Sequence, residues 1–183
     1  MSLTCAKRLR QEMRNLQSNP PDKDIFLEAD EDDIRHWRAF IRGPLDTAFA
    51  GDRQADRHRQ TDTVTDTHID RQINCVYELK IKVGPEYPMM PPSMHFVTKV
   101  FHPNVHLDTG EICLDILKKE WSPAWSLQAA CRAILALLAH PEANSPLNCD
   151  AGNMVRAGDM RAFSSMARLF KEEYASSSWP GST

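Results

Sequence analysis

The chain has 183 residues, with 25 acidic and 22 basic side chains, a formal net charge of −3 and 42% hydrophobic residues. That is the size of one domain whose core needs no staples. The mild acidity points away from nucleic acid or an anionic membrane as the main partner, and no apolar run is long enough to enter a bilayer directly. The opening MSLTCAKRLRQEM lacks the apolar stretch of a secretory signal. Cys5, Cys75, Cys113, Cys131 and Cys149 form an odd set without a CxxC pair. They argue against a zinc site or disulfide framework and for a reducing compartment. Neither a metal nor a cofactor is expected.

In chain order, residues 3–18 predict a helix. Leu3, Ala6, Leu9, Met13 and Leu16 recur at helical spacing, and Asn19-Pro20-Pro21 ends the run. Lys7, Arg8, Arg10 and Arg14 lie off that stripe, as a solvated face or a docking surface. Ile25–Leu27 and Ile34–Ile41 predict short strands around an acidic turn, Asp30 to Asp33. Residues 52–74 almost lack large apolar side chains and reuse Thr, Asp, Arg and Gln. They cannot offset their ordering entropy and predict a low-complexity insertion. The DNA repeat ACAGACAGACAG encodes Thr-Asp-Arg-Gln, so a translated microsatellite or unremoved intron would account for the composition.

Order resumes at Val76. Tyr77, Leu79, Ile81 and Val83 alternate with charged residues, the period of a half-buried strand. A proline-rich connection, Gly84 to Pro92, leads to a fourth strand over Met94–Val97. Residues 100–126 hold little periodicity but two prolines and two tryptophans, as functional loops do. Three helices are predicted next. The first carries a stripe from Leu127 to Leu138 with Ser126 as cap; a short one covers Ala151–Arg156; the last is capped by Asp159. The tail 176–183 reads as polar and frayed. The expectation is an α+β domain over 1–175, a four-stranded antiparallel meander with one helix before it and three after it.

Among the thiols, Cys131 lies on an apolar stripe and reads as a small hydrophobe. Cys113 stands apart. It follows His102-Pro103-Asn104 and a turn at Asp108-Thr109-Gly110, which folds the Cys segment back toward Asn104. An amide NH2 suits a developing oxyanion, and a thiol can hold an acyl group between two transfers. A Cys–His hydrolase using His102 or His106 is the competing chemistry. Against it, Cys113 opens no long helix, and His102 reads as a loop histidine fastening the backbone.

His102-Pro103-Asn104, the run Gly110 to Leu117, Trp121-Ser122-Pro123-Ala124 and Tyr87 to Pro92 together resemble the ubiquitin-conjugating enzymes. The resemblance covers residues 3–175 apart from the insertion and implies the same order of elements. It implies that Cys113 accepts ubiquitin as a thioester from a ubiquitin-activating enzyme, and that Asn104 stabilises the oxyanion or holds the active-site loop. His102 and Pro103 would be structural. Lys7 and Arg8 would meet the activating enzyme, while Met89, Pro123 and Ala124 would meet a RING-type ligase. Within the family, Trp121 to Trp125, Ser145-Pro146-Leu147 and Gly152 to Met160 resemble the peroxisomal members. These implications add a membrane-anchored peroxin and the import receptor as partners, and a cytoplasmic location at the peroxisomal surface.

The chain also departs from the family pattern. The Asn104–Cys113 loop is one residue longer than usual, and Ala50-Gly51-Asp52 with the insertion replaces a Glu-Gly-Gly stretch. Ser145 stands as an acceptor gate where lysine-directed members carry an acid, leaving Asp115 as the nearby carboxylate. A non-catalytic adaptor of this fold would lack the cysteine.

Overall fold

Period-two alternation in the second and third strands turns one set of side chains inward, and the sheet is built on that set. The computed structural model describes residues 3–51, 75–113 and 121–180. The predicted insertion 52–74 and Asp115 lie outside them. The elements are α1 (Leu3–Ser18), β1 (Ile25–Ala29), β2 (His36–Arg42), β3 (Val76–Lys82), β4 (Ser93–Phe96), α2 (Leu127–Ala139), α3 (Cys149–Arg156) and α4 (Met160–Tyr174). The strands form one sheet in the order β1-β2-β3-β4, every neighbouring pair antiparallel, as the meander expectation requires.

The register aligns the buried positions. Ile41 lies opposite both Ile25 and Tyr77, Leu79 opposite Ala39 and Phe96, and Ile81 opposite Trp37 and Met94. All of these are buried, and a slip of one residue would turn the whole set to solvent. The outer face carries charged residues around one aromatic pair, Phe26 and Phe40, with centroids 6.1 Å apart. Arg38 reaches Glu28 at 3.0 Å and Glu78 at 2.8 Å, an exposed network worth at most about 1 kcal/mol per pair.

Local chemistry sets the element ends. β2 begins two residues later than predicted because the His36 N–H donates to the Asp33 carbonyl at 2.8 Å, closing a turn. The Arg35 guanidinium pairs with the Asp33 carboxylate and holds its pKa well below the usual range. Ser126 caps α2 by accepting from the Ala129 N–H at 3.1 Å, as predicted. α3 starts earlier than predicted because Asn148 accepts from the Ala151 N–H at 3.1 Å. Asp159 caps α4 by accepting from the Ala162 N–H at 2.9 Å. Leu127, Ala130, Cys131, Ile134, Leu137 and Leu138 bury the α2 stripe, which lies against β1 and β2.

The tail differs from the frayed segment expected. Ser176 exchanges two backbone hydrogen bonds with Val76, at 2.8 and 3.0 Å, and Trp179 takes the Arg42 guanidinium over its ring at 4.3 Å. A short polar sequence hides this anchor because a backbone bridge leaves no side-chain signal.

The same region closes the base of the insertion. The Gly43 N–H donates to the Cys75 carbonyl at 2.9 Å, and a Cβ on Gly43 would meet the Phe49 carbonyl oxygen at 1.7 Å. The segments on either side of residues 52–74 therefore meet at one glycine. Lys171 donates to the Ala50 carbonyl at 3.4 Å from α4. Because loop entropy changes slowly with length, deleting residues 53–74 should leave a soluble fold, its melting temperature unchanged or raised by about 1–3 °C. Thermal unfolding of the deletion variant checks this; insoluble expression would contradict it.

Candidate active site

The segment from Phe101 to Val105 is entirely buried, and it carries the site. Val105 bridges Ile112, the His106 N–H donates to the Glu111 carbonyl at 2.8 Å, and the Cys113 N–H donates to the Asn104 carbonyl at 3.0 Å. These bonds make the fold-back that the Asp108-Thr109-Gly110 turn predicts. Gly110 has φ +67°, and a Cβ there would meet the Phe96 carbonyl oxygen at 1.9 Å, so the turn and its approach to β4 both require glycine.

His102 is fully buried, with its ring beside Phe49 and Phe163 at 5.8 and 6.4 Å between centroids. Its Nδ1 accepts from the Asn104 N–H at 3.1 Å. Burial pushes its pKa down to about 4, opposed only by the Leu137 backbone. It is therefore a neutral fastener at physiological pH. His106 accepts from the Asp108 and Thr109 N–H groups through Nδ1, at 3.3 Å each. Both rings use Nδ1 to hold local backbone, an arrangement unlike a base aimed at Cys113, which weakens the hydrolase reading.

The Asn104 side chain is also fully buried. Its Nδ2 donates to the Glu142 carbonyl at 2.6 Å, and its Oδ1 accepts from the Glu142 N–H at 2.8 Å. Of the two roles expected, this geometry is that of a brace. One residue before it, the Pro103 carbonyl accepts from the Leu147 and Asn148 N–H groups at 2.8 and 3.0 Å. Pro103 and Asn104 thus grip the 142–148 loop on one side and the Cys113 strand on the other. Ser145 is exposed on that loop. The loop is pressed from behind by α3, where a Cβ on Gly152 would meet Pro146 Cβ at 2.6 Å.

The other thiols divide as their environments dictate. Cys131 is fully buried and its pKa is pushed up to about 12 by burial. Cys5 is fully buried, its pKa is raised by burial, and its Sγ donates to the Gly84 carbonyl at 3.5 Å. Cys75 directly precedes β3. Cys149 is exposed at the start of α3, and Cys113 is half-buried at the end of the braced segment.

The expected docking positions gather at the opposite end of α2. Met89 is 70% exposed, and Pro123 and Ala124 are exposed on the neighbouring loop. Trp121 Nε1 ties the two loops by donating to the Pro88 carbonyl at 2.9 Å. Lys7 is exposed. Arg8 instead turns its guanidinium inward, donating to Glu12 and to the Trp125 carbonyl at 2.7 Å each. Glu12 was not among the predicted site residues. Its signal was its place on the α1 arc with Cys5 and Leu9, all three buried.

Two expectations follow. The folded His102 pKa is depressed from an unfolded value near 6.5, so its contribution to stability is fully present above pH 6.5 and is lost as pH falls toward 4. Chemical denaturation should show a loss of about 2 kcal/mol between pH 7.5 and 5 that His102→Gln lacks. Asn104→Ala should cost about 2–4 kcal/mol by orphaning the Glu142 backbone groups, lowering the melting temperature by about 5–15 °C. A discharge defect that persists at 10 °C, where the variant is folded, would instead assign Asn104 a direct oxyanion contact.

Comparison with known proteins agrees with this geometry. The family model described as ubiquitin-conjugating enzyme matches residues 73–171. The chain is 46% identical to Protein PEROXIN-4 of Arabidopsis thaliana, over 89% of this chain and 90% of that one. It is 43% identical to the ubiquitin-conjugating enzyme E2 pex4 of Dictyostelium discoideum, over 92% and 98%. Among solved structures, the H. polymorpha ubiquitin-conjugating enzyme Pex4p, crystallised with the soluble domain of Pex22p, superposes with a TM-score of 0.76 at 32% identity. That match covers 94% of this chain and 99% of that one. The chain belongs to the ubiquitin-conjugating enzyme family and is an enzyme of the Pex4 type.

Proposed function

We propose that Cys113 is the acyl carrier of this enzyme and that its ubiquitin is passed to the peroxisomal import receptor. The observation that carries the first part is a half-buried thiol whose N–H bonds to the Asn104 carbonyl, while the Asn104 side chain holds the exposed loop that begins at Glu142. The Cys113 thiolate attacks the carbonyl of ubiquitin held as a thioester on the activating enzyme. A new S–C bond forms, the donor's S–C bond breaks, and the donor thiolate leaves. An acceptor amine or thiol then attacks the same carbonyl and expels the Cys113 thiolate, its proton passing to solvent or a nearby base. The peroxin names of the relatives support the receptor as acceptor.

The partners follow from the same reading. Lys7 and the flank of Arg8 meet the ubiquitin-activating enzyme, and Met89, Pro123 and Ala124 meet a RING-type ligase. A membrane-anchored peroxin recruits the chain to the cytosolic face of the peroxisome, supported by the relative crystallised with Pex22p. Among the described residues no helix is long and apolar enough to cross a membrane. Asp115, outside the described residues, is the carboxylate proposed beside the thiol. Ser145, exposed on the acceptor side, cannot serve as a carboxylate base. A lysine acceptor, with an ordinary pKa near 10.4, needs such help more than a cysteine near 8.5.

With activating enzyme, ATP and ubiquitin, the chain should form a thiol-sensitive adduct on a non-reducing gel. Cys113→Ala should form none, Cys113→Ser a thiol-resistant ester, and Cys131→Ala a normal adduct. A normal adduct on Cys113→Ala would remove the assignment. In single-turnover discharge between pH 6 and 9, Ser145→Asp should raise the rate to free lysine by about tenfold, less than the roughly hundredfold or more of an evolved general base. The rate to free cysteine should stay nearly unchanged. Equal responses of the two acceptors would count against the gate.

A further inference from the structure

Glu12 is a charged side chain only 4% exposed, on a helix whose other polar groups, Arg8 apart, are exposed. Its Oε1 accepts from Arg8 Nε at 2.7 Å and from the Tyr87 hydroxyl at 2.5 Å. Its Oε2 accepts from the Leu127 N–H at 2.8 Å. Tyr87 begins the Met89 loop, and Leu127 is the first residue of α2, directly after the Pro123–Ala124 loop. Arg8 extends the network by donating to the Trp125 carbonyl at 2.7 Å. One carboxylate therefore touches α1, the exit of β3 and the first turn of α2, where its charge also complements the helix dipole. The aromatic rings Tyr87, Trp121 and Trp125 meet in series, tilted at the first step and edge-on at the second, with centroids 6.0 Å apart at each.

We propose that Glu12 is a positioning residue that sets the relative placement of the 86–91 and 121–126 loops, and through them the enzyme's response to a ligase. The proposal rests on the reading that these two loops meet the ligase. A carboxylate is the side chain this place requires. Three donors converge on it, and both of its oxygens accept. Glutamine has the same shape but turns an NH2 toward at least one of the donors, leaving a buried donor facing a donor. The charge also holds the Arg8 guanidinium against the Trp125 carbonyl, so removing it loosens a contact that Glu12 does not itself make.

The test uses the full chain as Glu12→Gln and, as a milder change that leaves the carboxylate in place, Tyr87→Phe. Amide exchange at Met89, Trp125 and Leu127 reports the loops; Met89 and Trp125 donate to the Glu86 and Ser122 carbonyls at 2.8 and 2.9 Å. Discharge of the charged enzyme to free cysteine is then measured with and without a RING-domain fragment selected because it accelerates the unaltered chain. Both variants should exchange faster at these amides. In Glu12→Gln the stimulation should fall by about tenfold, while unstimulated discharge stays within about twofold. Unchanged exchange in Glu12→Gln overturns the proposal, as does a parallel fall of stimulated and unstimulated rates, the mark of a merely structural role. Failure of the unaltered chain to take up ubiquitin would overturn the proposed carrier function, and full ligase stimulation of Met89→Ala the ligase reading, while amide exchange would still decide whether Glu12 sets the loops.

Discussion

Two hydrogen bonds between the Asn104 side chain and the Glu142 backbone hold together the two segments to which the proposed chemistry is assigned. Each such bond contributes only about 1 kcal/mol net, but a buried group left without its partner costs about 1–3 kcal/mol. The asymmetry makes the clamp selective for one side chain. An amide offers a donor and an acceptor at the spacing of a peptide unit; aspartate lacks the donor and alanine lacks both. Pro103 doubles the grip by presenting its carbonyl to Leu147 and Asn148. The strand ending at Cys113 and the loop bearing Ser145 therefore share one anchor, and a change in either is felt at the other.

That anchor is itself held by the core. His102 fixes the Asn104 N–H from within an aromatic cluster that includes Phe49 and Phe163. Phe163 belongs to α4 and also meets Phe101 at 6.3 Å, so the last helix supports the residues just before the site. A neutral imidazole suits this place because burial penalises the charged form. The opposite end of α2 has a different solution, a buried carboxylate ringed by donors, where the network reaches the surface loops. One end thus fixes the thiol with neutral amides, and the other fixes the loops with charge-assisted bonds.

Much of this was legible in the residues. The alternation around Tyr77, Leu79 and Ile81 defined β3, and the Leu127-to-Leu138 stripe with Ser126 defined α2. The turn residues before Cys113 placed it beside Asn104. The partner of the Asn104 amide was not legible, because it is a backbone group 38 residues away and any residue type supplies one. Glu12 escaped notice because a glutamate on a basic helix reads as surface, although its spacing from Cys5 and Leu9 put it on the buried arc. Arg8 matched a docking position by type, yet its guanidinium is engaged inside. Trp179 lay in a stretch too short and polar to suggest an anchor, and its partner Arg42 comes from the far end of β2.

The dependence of the thiol's strand on the clamp can be read directly from backbone amide exchange at Cys113 and Glu142 in the full chain. Both N–H groups bond to Asn104, one to its carbonyl and one to its side chain. Both should exchange slowly in the unaltered protein. In Asn104→Ala they should accelerate together, since losing the side-chain clamp frees the backbone that holds Cys113. A Cys113 amide that stays protected while Glu142 becomes fast would show that the strand stands without the clamp and would contradict this account.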